Sequence, residues 1–457
     1  MQPVLPVLDR RRSGVLLPLS ALHGLYPQGA LGVAARHCVD WLASAGFSVW
    51  QLLPVGPPGP DGSPYWLRSD MAGDPALIDV AERPAATGAA YVDFCAAQAH
   101  WLDDYALFET LHSAQAERPW QQWPAALRDR DSAALAAATR QHAGRIEEIR
   151  AQQFAFQQQW HALRRYAADR GVRLFGDLPF YVAPDSAETW MHREQYQLSA
   201  DGAPQFVAGV PPDYFAADGQ LWGNPLYDWD AAQRDGFAHW RARIRQQLDR
   251  FDLLRIDHFR ALAAHWAVPA AAATARSGRW CPTPGVELLA QLAVDWPALP
   301  LVAEDLGEIT PDVEALRRRH DLPGMQVLQF AFDGSTDSVH LPHRHAPRSV
   351  TYTGTHDNDT LVGWLQSLDG ETLRRIEFYF GVHGGQLREV LMRGALGSVA
   401  QLAVLPIADV LGLGAEARFN TPGTVSGNWS WKLPPDTLTP ALAARFALLN
   451  RVFGRSS

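Results

Sequence analysis

Asp252-Leu253-Leu254-Arg255-Ile256-Asp257-His258-Phe259 is an apolar run that ends in charge. Leucine and isoleucine without polar alternation suit a strand covered on both faces, as parallel strands are. Alternate residues of a strand point to one side, so Arg255 and Asp257 project together. Six further runs read the same way, at 48–55, 173–182, 300–307, 325–332, 349–357 and 402–409. Helical patterns lie between them, at Ala238–Arg250, 286–294 and 312–320. The last opens Thr310-Pro311-Asp312-Val313-Glu314, a cap residue followed by proline at the first helical position and acids in the first turn. Such alternation implies βα units with right-handed crossovers. Seven strands, with an eighth expected at 76–80, predict an α/β fold: a (β/α)8 TIM barrel with inserted, mostly helical subdomains and long loops over its C-terminal face.

The whole chain, 1–457, reads as one catalytic barrel. Residues 82–170 are rich in Ala, Gln and Arg at helical spacing, with no strand signal, and read as an inserted helical subdomain. Residues 185–235 carry Gly, Pro, Asp and aromatics without period and read as an inserted loop region over the active site.

Composition narrows the chemistry. An apolar fraction of 47% supports a large core. Forty Lys+Arg against 49 Asp+Glu leave a net charge of −9, with no basic excess for nucleic acid. Cys38, Cys95 and Cys281 are too few and too scattered for a disulfide framework or a Cys-based zinc site. Lys432 is the single lysine, so there is neither a Walker A loop nor a supply of Schiff-base amines, and no Gly-x-Gly-x-x-Gly turn is present. Arg10-Arg11-Arg12 follow a short apolar stretch, the reverse of a secretory signal. The uncharged run 394–408 is too short to span a bilayer. A cytoplasmic, monomeric protein with no membrane or nucleic-acid partner is expected.

Three strand ends carry acids: Asp257, Glu304 in Leu301-Val302-Ala303-Glu304, and Asp357 in Thr353-Gly354-Thr355-His356-Asp357-Asn358. The C-terminal strand ends of a barrel open onto one face, where catalysis sits. A carboxylate nucleophile beside a second carboxyl acting as acid then base is the equipment of retaining glycoside chemistry. On this reading Arg255 holds Asp257 ionised, Glu304 has a raised pKa through burial among like charges, and Asp357 supports the oxocarbenium-like transition state. Each piece has a blander reading: Arg255–Asp257 as a structural pair, Glu304 as a cap, and 356–359 as a metal site or Asx turn. His340, His343 and His345 read as solvated loop residues rather than a zinc site. Trp66, Trp190, Trp222, Trp229, Trp429 and Trp431 stand in polar loops and offer flat faces for sugar stacking, although each is also a plausible core residue.

At this point the sequence resembles the 4-α-glucanotransferases of the α-amylase clan, from about residue 15 to 435. The matching stretches include Gly62-Ser63-Pro64-Tyr65, Gly176-Asp177-Leu178-Pro179-Phe180-Tyr181, Val207-Ala208-Gly209-Val210-Pro211-Pro212-Asp213-Tyr214-Phe215 and Gln220-Leu221-Trp222-Gly223-Asn224-Pro225. They continue with Arg255-Ile256-Asp257-His258-Phe259-Arg260, Gly354-Thr355-His356-Asp357-Asn358, Phe419-Asn420-Thr421-Pro422-Gly423-Thr424 and Gly427-Asn428-Trp429. The resemblance implies Asp257 as nucleophile, Glu304 as acid/base and Asp357 as transition-state stabiliser. It implies sugar contacts at Tyr65, Asp177, Trp222, Asn224, Arg255 and His356, a loop over the cleft carrying Tyr214 and Phe215, and neither metal nor organic cofactor. The activity it implies is transfer of α-1,4-glucan segments to a sugar 4-hydroxyl. A hydrolase of the same clan, or a non-catalytic glucan-binding protein, would carry much of the same pattern. Three positions depart from it: Trp66-Leu67-Arg68 stand where Gln-Ser and an aromatic are usual, Asp74 replaces asparagine, and Ala261 replaces glycine.

Overall fold

A computed structural model describes residues 7–22, 29–212, 217–424 and 426–456. Eight parallel strands form the central sheet: Arg12–Leu16, Val49–Gln51, Arg173–Leu178, Leu253–Ile256, Leu301–Ala303, Gly324–Val327, Ser349–Tyr352 and Leu402–Pro406. Each pairs with the next in chain order except the fifth with the sixth, and the eighth pairs with the first. Between fifth and sixth the Ala303 N–H donates to the Pro323 carbonyl at 2.9 Å, bringing the ends of the sheet together as a (β/α)8 barrel.

The first strand corrects the sequence reading. Arg12–Leu16 takes the place expected for 76–80, where Asp74 and Asp79 instead cap two short 3-10 turns, Pro75–Leu77 and Val80–Glu82. Their carboxylates accept the Ala76 and Ala81 N–H groups, each at 2.9 Å, and so compete locally with strand pairing. The true strand is masked by the arginines at and before its start, Arg10, Arg11 and Arg12.

Along each strand the side chains alternate between two clusters. Phe175, Leu253, Val302, Val350 and Tyr352 fill the barrel interior, while Leu174, Leu254, Ile256, Leu301 and Ala303 face the surrounding helices. A Cβ on Gly176 would stand 2.3 Å from the Phe251 ring, so only glycine lets the third strand lie against that aromatic. Helix Ala238–Arg250 has the bounds its periodicity implies, and the other two expected helices run Gly285–Asp295 and Pro311–Arg319.

Between the second and third strands, helices Gly88–Gln98, Leu102–Ala114, Ala125–Arg128 and Ser132–Gln141 pack around Tyr105, Phe108, Trp120, Trp123 and Phe154. The long helix Ala143–Asp169 belongs to both layers: Ile146 and Ile149 join that cluster, Phe156, Trp160 and Leu163 the barrel's. The segment read as aperiodic loop, 185–235, is partly regular. It contains helices Ala187–Met191 and Trp229–Arg234, and strands Phe206–Val210 and Gln220–Pro225. Those strands join Ala264–Pro269 and Arg279–Pro282 in a four-stranded antiparallel sheet. Its alternation is hidden because Gly209 and Gly223 interrupt it and a register shift falls between Val207 and Gly209. Trp190 (0% exposed) and Trp229 (8%) are core residues rather than platforms. His345 is buried, bonded to Ser398 Oγ and the His340 carbonyl, and so is not the solvated side chain expected. Among the described residues no helix is long and apolar enough to cross a membrane.

Candidate active site

The inward parity that buries Phe175, Leu253 and Val302 carries on to the strand ends and just beyond them. Two residues on from each stand Asp177, Arg255 and Glu304, and two beyond Arg255 stands Asp257. All therefore rise from the same barrel mouth. Arg255 is buried, and its Nη1 donates to both Asp177 oxygens at 2.8 Å. Its Nη2 lies 2.9 Å from Asp257 Oδ1. Tyr65, in the loop after the second strand, donates its hydroxyl to Asp177 Oδ2 at 2.7 Å. The Tyr65 ring stacks on His356 with centroids 5.0 Å apart, and His356 Nε2 lies 3.4 Å from Asp357 Oδ2. An unbroken run of contacts thus joins Asp357 to Asp257.

Glu304 enters this group through the backbone. The chain turns after Asp257 by placing His258 at φ 49°, a left-handed conformation costing about 1–3 kcal/mol for a non-glycine residue. That turn aims the His258 N–H at Glu304 Oε2, 2.8 Å away, while the Leu306 N–H reaches Glu304 Oε1 at 3.0 Å. Glu304 is consequently held one residue from Asp257, with both oxygens engaged.

Electrostatics separate the acids, though not as the sequence suggests. Loss of water raises the Asp257 carboxyl above the ordinary carboxylate range, and Asp177 and Glu304 add to this while Arg255 opposes it. One guanidinium shared between two carboxylates cannot hold both as firmly ionised as one. The Asp257 side chain keeps 30% of its exposure and so faces the cleft. Asp357 behaves in the opposite way. Burial favours its neutral form, but His356 and the Asn420 amide, 2.6 Å from Oδ1, outweigh this and hold it well below the usual range. His356 is raised in turn, because Asp357 outweighs its burial.

Asn420 and Arg418 were not singled out as site residues by sequence. Arg418 donates to the Asp357 carbonyl and to the Asn420 carbonyl, both at 2.6 Å. They follow the eighth strand in an aperiodic loop, and the motif Phe419-Asn420-Thr421 was the only signal there. Trp222 stands edge-on to His258 with centroids 4.7 Å apart. Asn224 is buried, its amide donating to the Val182 carbonyl at 2.9 Å, so in this structure it ties the small sheet to the loop after the third strand. Tyr214 and Phe215 lie outside the described residues. Opposite Glu304 across the barrel, a groove of about 550 Å³ opens between the loops after the first, second and eighth strands, lined by Phe419, Trp429 and Trp431.

The arrangement is a cluster of four carboxylates around one buried arginine and one buried histidine at the barrel mouth. It has an excess of negative charge where a developing sugar cation would be stabilised. Comparison with known proteins agrees with that chemistry. The sequence profile of the 4-alpha-glucanotransferases matches residues 17–90 and 81–439. The 4-alpha-glucanotransferase of Thermus thermophilus is 43% identical over 95% of this chain and 97% of its own length. That of Synechocystis is 39% identical over 98% of this chain and 99% of its own. The amylomaltase of Streptococcus agalactiae, solved in complex with acarbose, superposes with a TM-score of 0.93 at 30% identity, covering 98% of this chain and 100% of that one. Matched along nearly its whole length in both sequence and architecture, the chain belongs to the 4-alpha-glucanotransferase family.

Proposed function

We propose that the site performs α-1,4-glucan transfer through a covalent glycosyl ester on Asp257. The observation that carries this reading is the juxtaposition of Asp257 and Glu304 across the His258 backbone, with Asp357 tied into the same network. In the first step the Asp257 carboxylate attacks C1 of the sugar bound beside Asp177 and His356. The C1–O bond to the leaving sugar breaks as Glu304 supplies its proton. In the second, Glu304 takes the proton of an acceptor 4-hydroxyl, whose oxygen attacks C1 and displaces Asp257. Two inversions give net retention. Asp357 remains ionised throughout and faces the cationic ring carbon. Transfer prevails over hydrolysis only where binding raises the effective molarity of the acceptor above that of water. The rest of the reading, a monomer acting in the cytoplasm on maltooligosaccharides, rests on the sequence, and acarbose is expected to occupy the same cleft.

Incubation with maltotriose tests it. Glucose together with maltotetraose and longer products is the expected result, and glucose with maltose but no extension overturns transfer in favour of hydrolysis. The pH profile provides a second check. Asp257 must be ionised to attack, so kcat/KM rises with pH, with a midpoint above the usual aspartate range near 4. Asp177→Asn removes a neighbouring negative charge and leaves Arg255 to Asp257, so the midpoint moves to lower pH even as the rate falls. An acid limb that stays in place removes Asp257 as the group it reports.

A further inference from the structure

Trp66-Leu67-Arg68, where the chain departs from the pattern of its family, are fastened on three sides. Leu67 is buried, packed so closely over Gly56 that a Cβ there would lie 2.8 Å from Leu67 Cδ1. Arg68 reaches Glu109 at 2.8 Å and Glu117 at 3.2 Å in the helical block, and its carbonyl accepts the Ala187 N–H at 2.8 Å. Between these anchors and Tyr65, Trp66 accepts the Gly59 N–H on its carbonyl at 2.7 Å.

The indole itself is half-buried. One part lies over Gly59, where a Cβ would come within 2.8 Å of Trp66 Cδ1. Its far edge reaches the small sheet, 3.7 Å from where a Cβ on Gly223 would stand. Trp66 Nε1 has no hydrogen-bond partner among the described residues and is open to solvent. The neighbour of Gly223 is Trp222, edge-on to His258, whose N–H holds Glu304. Trp66 thus meets the strand that carries Trp222, and Trp222 stands against the residue whose backbone holds Glu304.

We infer that Trp66 is a specificity-determining residue, the stacking face and hydroxyl-binding N–H for the second glucose of the acceptor. The inference rests on the transfer reading above, since it needs an acceptor beside Glu304. The apolar face of a pyranose suits an indole, and the anchored backbone lets the ring meet it without ordering a loop.

The test uses the full chain with starch as donor and glucose, maltose or maltotriose as varied acceptor. In Trp66→Gln the acceptor KM rises about five- to tenfold for maltose and maltotriose, the loss of one ring contact and one hydrogen bond. KM for glucose, which has no second ring, stays within twofold. Trp66→Phe keeps a ring without the N–H and gives an intermediate rise. Equal rises for glucose and maltose would make Trp66 a structural support and overturn the inference, as would no rise at all. If the wild-type chain extends none of these acceptors, it is the transfer reading that fails.

Discussion

Asp257→Asn abolishes transfer, with turnover on maltotriose falling by about 10⁴–10⁶, the range seen when a covalent nucleophile is removed. The substitution is close to isosteric, and its amide oxygen can still accept from Arg255 Nη2, which lies 2.9 Å away in the native structure. What is lost is the anion that attacks C1. The fold is not the casualty, and the sign of the linkage shows why. Burial raises the Asp257 carboxyl, so its charged form is less favourable in the folded chain than in the unfolded one. That group's contribution to stability is full at low pH and declines as pH rises through the raised pKa. A neutral amide therefore does not lower Tm at pH 7–8, and acarbose binding persists. Turnover, melting and acarbose titration on the same sample give the answer. Residual turnover within tenfold of wild type removes the covalent step from Asp257, whatever the melting curve shows.

This division between activity and stability follows from how the site is built. The parity of Leu253, Arg255 and Asp257 was legible in the sequence because a strand alternates strictly, whereas Glu304 showed only as an acid at a strand end and Asp177 only through the family resemblance. Helix Ala238–Arg250 was equally legible, since Trp240, Ile244 and the other buried positions recur at helical spacing. Illegible were features that depend on distant partners. Arg12–Leu16 does not read as a strand until its neighbours Val49–Gln51 and Leu402–Pro406 cover it. Asn420 meets Asp357 only because the eighth strand returns its following loop to the mouth. The left-handed turn at His258 leaves no compositional trace, yet it sets where Glu304 points. Aromatic-rich loops misled in both directions, with Trp190 and Trp229 in the core and Trp66 and Trp222 at the rim.

Glu304→Gln separates the two halves of the reaction. With maltotriose, turnover falls about 10²–10⁴-fold, because one side chain both protonates the leaving oxygen and deprotonates the acceptor. An α-glucosyl fluoride donor has a leaving group that departs without a proton, so the first step survives while the second lacks its base. The glucosyl ester on Asp257 then accumulates, visible in the intact-protein mass as one added glucosyl unit. Azide, which attacks without giving up a proton, restores turnover. Stability responds differently from the Asp257 variant. The two Glu304 oxygens accept the His258 and Leu306 N–H groups at 2.8 and 3.0 Å, and a glutamine amide must turn its NH₂ toward one of these donors. Losing that acceptor costs about 1–3 kcal/mol, so Glu304→Gln melts below wild type. The discriminating result is kinetic: if fluoride and maltotriose lose rate by the same factor and no ester appears, Glu304 positions the His258 turn and the proton comes from elsewhere.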